Sequence, residues 1–269
     1  MPGVARHVRF VLVLLIAPLL VPFAPASGAP VLFDPDADVD YQLSGGYDVA
    51  AGIVVRDRTD EPAPGAYNLC YVNAFQTQPG ALSWWRREHP GLLLRERGRL
   101  VRDPGWPDEA LLDTRTAAKR TRIAAVLDRW VAGCARDGFD AVEPDNLDSF
   151  TRSEGLLRRR QNLALATLVV RAGHRHGLAV AQKNLAELPA ATARAVGFDL
   201  AVAEDCQVYD ECGRYRAAYG RAVLEVEYAD DGRAAFREAC ALRGPVWPIV
   251  LRDRDLRLPD QKGYRRDAC

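Results

Sequence analysis

The stretch DAVEPDNLDSF, Asp140 to Phe150, starts like a buried strand and places four carboxylates (Asp140, Glu143, Asp145, Asp148) within eleven residues. A helical pattern precedes it (116–138), with apolar residues at Ile123, Val126, Leu127, Trp130 and Val131. A second pattern (156–177) follows and ends in Gly177, just before the apolar run LAVAQKN (178–184). Helices alternating with short buried strands imply parallel βα units. Within such a unit the acids after DAVEP stand at the C-terminal end of a strand, where an α/β barrel carries its reactive residues.

Working outward, similar runs recur at VDYQL (39–43), GIVVRD (52–57), YNLCYVNAF (67–75), DLAVAED (199–205), AVLEVEY (222–228) and VWPIVLRD (246–253). Shorter helical stretches fall near 187–196, 210–220 and 232–242. Eight strands predict a single α/β domain, a (β/α)8 TIM-like barrel. A doubly wound open sheet is the alternative, and no Gly-rich phosphate loop supports it. The early β/α units are irregular, because RTDEPAPGA (58–66) leaves no room for a helix. ALLDTR (110–115) reads as an extended lead into the next helix. Between them, Gln76 to Glu109 forms a long insertion with Trp84, Trp85 and Trp106, and long loops in compact domains often serve function.

The first 26 residues read as a secretory signal peptide: Arg6 and Arg9, an apolar run from Phe10 to Ala24, then Ala24-Pro25-Ala26. The barrel domain is then 27–269, close to the ~250 residues typical of the fold. Its 34 basic and 36 acidic residues, after Arg6 and Arg9 are removed, leave no basic footprint for nucleic acid. The expected location is extracellular, with no membrane contact once the signal is cleaved. The six cysteines suit an exported, disulfide-bonded chain. They allow 15 pairings. The expected set is Cys206–Cys212 as a loop clip, Cys240–Cys269 at the C-terminus, and Cys70–Cys134 by default.

The strand runs end in Gln42, Asp57, Asn73, Asp145, Lys183 with Asn184, Glu204 with Asp205, Glu227 with Tyr228, and Asp253. Polar strand ends are ordinary. Glu143 and Glu227 are not, because they interrupt apolar runs where an unpaired carboxylate is costly. Side chains alternate along a strand, so Glu143 and Asp145 share a face. Asp145 and Glu204, two strands apart across the mouth, could act as the acid and the nucleophile or base of glycoside cleavage. Rival chemistries are weaker. There is no G-x-S-x-G, and His174 and His176 precede a strand on the stability face of a barrel. DPDADVD (34–40) lacks the Gly and distal Glu of a calcium loop and reads as a solvated arm. A hard-cation site at Glu143, Asp145 and Asp148 is the serious alternative to a metal-free pair; a non-catalytic polysaccharide-binding barrel is another.

The motifs YQLSGGYD, NLCYVNAF, WPDEALLDTR, GFDAVEPDNLDSF, GLAVAQKN, FDLAVAEDCQVYDEC, VLEVEY and VLRDRDL, in order from Tyr41 to the C-terminus, resemble glycoside hydrolase family 114, the endo-α-1,4-polygalactosaminidases. The resemblance implies a TIM-like barrel, a secreted endo-hydrolase and an α-1,4-linked, galactosamine-containing polysaccharide as substrate. It carries the catalytic roles onto Asp145 and Glu204; which is the acid and which the nucleophile or base stays open, Glu204 as general acid being the preferred assignment. The RTDEPAPGA and NAFQTQP stretches depart from the family pattern and bear on subsites. A de-N-acetylated polymer is cationic, so Glu143, Asp148, Asp205, Asp210, Glu211 and Glu227 are expected to ring the mouth and attract it. Neighbouring carboxylates would also raise one another's pKa and keep an acid protonated. The expected substrate-binding residues are Glu143, Asp148, Lys183, Asn184, Glu227, Tyr228, Gln42, Asn73 and Asp253. The reading calls for no cofactor and no metal, and for a monomer.

Overall fold

A computed structural model describes residues 3 and 29–269; the signal-peptide segment lies outside the described residues. Eight parallel strands run in chain order around one sheet: β1 (Val39–Gln42), β2 (Ile53–Asp57), β3 (Tyr67–Asn73), β6 (Ala141–Asp145), β7 (Ala179–Lys183), β8 (Leu200–Glu204), β9 (Val223–Tyr228) and β10 (Ile249–Arg252). A short antiparallel strand, β11 (Arg266–Ala268), adds to β10. The small hairpin β4 (Arg95–Glu96) and β5 (Arg99–Leu100) belongs to the insertion after β3. Helix α1 (Leu82–Glu88) lies in that insertion too. Helices α2 (Ala117–Asp137), α3 (Arg159–Arg175), α4 (Ala190–Val196), α5 (Cys212–Tyr219) and α6 (Arg233–Arg243) follow β3, β6, β7, β8 and β9 in the expected alternation. No helix follows β1 or β2, and residues 110–112 make only isolated bridges. The architecture is the expected TIM-like barrel with irregular early units.

Alternation builds two apolar layers. Val39, Tyr41, Ile53, Val55, Leu69, Ala141, Ala181, Val202, Leu224, Val226 and Val250 fill the barrel interior. The opposite faces of the strands pack on the helices, as Cys70, Val72, Val142 and Val180 do against α2 and α3. Helix α2 shows why its sequence folds so. Thr116 caps it, accepting a hydrogen bond from the Lys119 N–H at 3.2 Å. Its buried stripe is Ile123, Val126, Leu127, Val131 and Cys134, and Gly138 ends it with a left-handed φ of 97°. At Gly173 a Cβ would stand 2.4 Å from Val180 Cγ2, so only glycine lets α3 approach β7 this closely.

No backbone ladder joins β1 to β10. Arginine side chains bridge this seam. The fully buried Arg252 guanidinium donates to the Tyr41 carbonyl and pairs with Asp40 Oδ1 at 3.1 Å. Arg266 adds a bond to the Val39 carbonyl at 3.3 Å. Asp40, the last acid of the N-terminal run, is therefore buried in an ion pair and not part of a solvated arm. All three disulfides form as expected from the sequence: Cys70–Cys134, Cys206–Cys212 and Cys240–Cys269. Among the described residues no helix is long and apolar enough to cross a membrane.

Candidate active site

The C-terminal ends of the strands surround a cleft of about 730 Å³, whose lining includes Tyr41, Asp57, Tyr71, Glu109, Asp145, Lys183, Glu204 and Tyr228. At its floor Lys183, 3% exposed, reaches three carboxylates: Glu143 at 3.0 Å, Glu204 at 3.2 Å and Asp145 at 3.3 Å. It also donates to the Tyr41 hydroxyl at 2.9 Å. Alternation brings these groups together. Glu143 and Asp145 on β6, Lys183 on β7 and Glu204 on β8 all have the parity of the barrel-interior residues.

The turn after each of these strands is sharp. Asn146, Asn184 and Asp205 follow Asp145, Lys183 and Glu204 directly, with φ of 65°, 48° and 53°. Asn and Asp tolerate this left-handed region better than other side-chain-bearing residues. Asn184 uses the turn to grip Glu204: its amide donates to Oε2 at 2.8 Å, and its side-chain oxygen accepts the Glu204 N–H at 2.9 Å. Tyr228 donates to the other Glu204 oxygen at 2.5 Å. Tyr71 holds Asp145, donating to Oδ2 at 2.7 Å.

Electrostatics separates the acids. Burial pushes the Asp145 carboxyl up, but the Lys183 charge, the Tyr71 hydroxyl and the hydrogen bond from the Asn146 backbone N–H outweigh it, and Asp145 is held below the ordinary carboxylate value. Burial dominates at Glu143, which is fully enclosed and raised despite Lys183. Burial opposes the Lys183 charge too, yet Asp145, Glu143 and Glu204 more than restore it and Lys183 stays protonated. At Glu109 burial raises the carboxyl to about 7. The raised carboxyls of the cleft are thus Glu143 and Glu109, with burial the larger cause at both, and Asp145 is not among them.

The separation of Asp145 and Glu204 follows from their common partner. Their oxygens lie 3.3 Å and 3.2 Å from one Lys183 nitrogen. Those two oxygens can therefore stand no further apart than the sum of the two distances, about 6.5 Å.

Several sequence expectations are corrected. Glu227 and Tyr228 are adjacent and cannot both face the interior. Tyr228 does, while Glu227 points to the helix layer, 1% exposed, accepting the Gln207 N–H at 2.9 Å. Gln42 and Asp253 likewise have the outward parity. Gln42 accepts from Arg56 Nε at 2.9 Å, and Asp253 accepts the Arg257 and Arg265 N–H groups at 3.0 Å each. Asn73 is buried behind the cleft, donating to Glu109 Oε2 at 2.8 Å. Glu143 lies beneath the cleft floor and does not line it. The acidic ring is also partial. Asp210, Glu211 and Glu227 do not line the cleft, Asp148 pairs with Arg152 at 2.7 Å, and Asp205 pairs with Arg254 at 2.8 Å. The candidate hard-cation set is divided: Glu143 and Asp145 turn to Lys183, and Asp148 turns to Arg152. His174 and His176 bond Asp199 and Asp128 away from the cleft.

Sequence reading missed Tyr41, Tyr71 and Glu109. The two tyrosines could have been found by extending the Asp145 parity to β1 and β3. Glu109, at the end of the insertion and inside the motif WPDEALLDTR, was not singled out, because no period there shows which side chain faces the cleft.

Paired carboxylates projecting from strand ends into the mouth of an α/β barrel are machinery of the kind that glycoside cleavage uses. The chain belongs to glycoside-hydrolase family GH114, whose model matches residues 22–269. No curated protein matches the chain. Among solved structures it is similar to Aspergillus fumigatus Ega3, solved in complex with galactosamine, at 17% identity with a TM-score of 0.69, covering 91% of this chain and 100% of that one. It is also similar to the glycoside hydrolase domain of PelA from Pseudomonas aeruginosa, at 16% identity with a TM-score of 0.56, covering 82% and 96%.

Proposed function

We propose that this protein is a secreted, endo-acting hydrolase of α-1,4-linked, galactosamine-containing polysaccharide, working by retention with Asp145 as nucleophile and Glu204 as acid and base. The observation that carries the reading is the pair of carboxylates held on one buried ammonium at the floor of an open cleft. Family membership, the three disulfides and the galactosamine complex of Ega3 support the substrate class and the export.

In the first step Glu204 gives its proton to the glycosidic oxygen while an Asp145 oxygen attacks the anomeric carbon. The bond to the leaving sugar breaks, and a glycosyl ester on Asp145 forms. In the second step Glu204 takes a proton from water, whose oxygen attacks the same carbon and releases Asp145. Asp145 is suited to the nucleophile's part because its environment favours the ionised form. Lys183 fixes both carboxylates in register, and Tyr71 and Tyr228 orient one each. A cleft open along the strand-loop rim would admit an internal stretch of polymer.

Reducing-end release from partially de-N-acetylated α-1,4-polygalactosamine tests the reading, with and without EDTA. Wild type is expected to cut and to be unaffected by chelation. Asp145→Asn and Glu204→Gln are expected to lose about 10²-fold or more in rate while folded. A wild type that binds the polymer without cutting it would make the barrel a binding module. Loss of activity on chelation would favour a metal-dependent hydrolysis.

A further inference from the structure

The insertion between β3 and α2 builds one wall of the cleft, and two of its residues have no part in the mechanism above. Trp106 lines the cleft yet is 55% exposed, a large apolar surface left in water. Its backbone is anchored. Its N–H and that of Gly105 donate to Asp103 Oδ1, at 3.4 Å and 2.8 Å, and its carbonyl accepts the Glu109 N–H at 2.9 Å. Asp103 is 2% exposed, anchored by Gln76 at 2.7 Å and Arg152 at 2.6 Å. An exposed aromatic face carried on an anchored backbone suits the apolar face of a sugar ring.

Glu109 lines the same cleft and is 6% exposed. Its Oε2 accepts from Asn73, while Oε1 accepts no hydrogen bond among the described residues. That oxygen is not sealed in the protein but opens on the cleft, where a donor carried by a ligand can reach it. The charged groups that face it are Asp145 from β6, Asp103 from its own segment and Arg152 from the turn after β6. Arg152 is already committed to Asp103 and Asp148, and the other two are acids. A cation arriving in the cleft would therefore meet Glu109 without a competing partner.

We propose that Glu109 and Trp106 form a subsite on the Asp145 side of the cleft that selects a galactosaminyl unit with a free amine: Glu109 pairs with the ammonium, and Trp106 stacks on the sugar. The inference rests on the substrate class proposed above and adds the residues that read its N-acetylation.

The test compares kcat/KM for two α-1,4-galactosamine hexasaccharides, one fully de-N-acetylated and one fully N-acetylated, in wild type, Glu109→Gln and Trp106→Ala. Calorimetric Kd values give the same comparison independently of turnover. Glu109→Gln is expected to lower the preference for the de-N-acetylated chain about tenfold, the size of a lost charge-assisted hydrogen bond. Because each ratio is taken within one protein, partial misfolding cancels. Trp106→Ala is expected to raise KM for both chains, with kcat retained. An unchanged ratio in Glu109→Gln, in a wild type that cuts, overturns this inference alone. A wild type that neither cuts nor binds either oligosaccharide overturns the proposed function as well.

Discussion

Lys183 is the residue on which the site turns. A buried amine would ordinarily lose its proton, and three clustered carboxylates would ordinarily repel one another. Here each problem offsets the other, and Tyr41 extends the network by donating to Glu143 at 2.6 Å. Lys183→Met would leave Glu143 without its counter-charge and free Asp145 and Glu204 to move apart. The expected cost is about 3–5 kcal/mol of stability, read by denaturant unfolding, together with loss of turnover. A variant as stable as wild type would show that the cluster is not held by the ammonium. In the sequence Lys183 was visible only as a polar strand end. Its partnership with Glu143 follows from parity on neighbouring strands, but the depth at which they meet depends on strand stagger, which no local pattern reports.

At the scale of elements, alternation decides which acids face the substrate. Strand β9 carries Glu225 and Glu227 toward the helix layer, where Arg243 binds Glu225 at 2.6 Å. Burial pushes Glu227 up to about 8, and the neighbouring Glu225 adds to the shift. The folded value lies above that of the unfolded chain, so the stability it contributes is full below about 4.3 and is lost as pH rises through about 8. Glu227→Gln should therefore melt above wild type at pH values beyond 8 and close to it near pH 5. Melting curves that do not separate with rising pH would place the ionised form at no disadvantage. The same element shows why sequence reading went astray. An acid interrupting an apolar run is anomalous on either face, and only the interior role of Tyr228 reveals that Glu227 points outward.

For the whole molecule, the barrel was legible because five βα units repeat with clear periodicity, and the signal held even where β1 and β2 lack helices. Its closure was not legible. The seam depends on Arg252 and Asp40, which are 212 residues apart and are drawn together only by the curvature of the complete sheet. The disulfides fix the periphery of the same architecture. Cys70–Cys134 ties β3 to α2 across a sequence separation of 64. Constraining a loop of that length in the unfolded chain is worth about 4 kcal/mol. A Cys70→Ala, Cys134→Ala double variant should lose a stability of that order in urea unfolding. An unchanged midpoint would mean that packing of α2 on the sheet suffices without the bridge. Glu109 marks the limit at this scale: the insertion's length and tryptophans flagged it, but its path back over the cleft leaves no trace in period.

The most direct test of the account is the anomeric configuration of the first product, followed by proton NMR during hydrolysis of an α-1,4-galactosamine oligosaccharide. Two carboxylates held on one ammonium predict that the α-anomer appears first and then mutarotates. A β-anomer appearing first would mean that water attacks directly, that the carboxylates stand further apart in the working enzyme, and that Asp145 is a base and not a nucleophile.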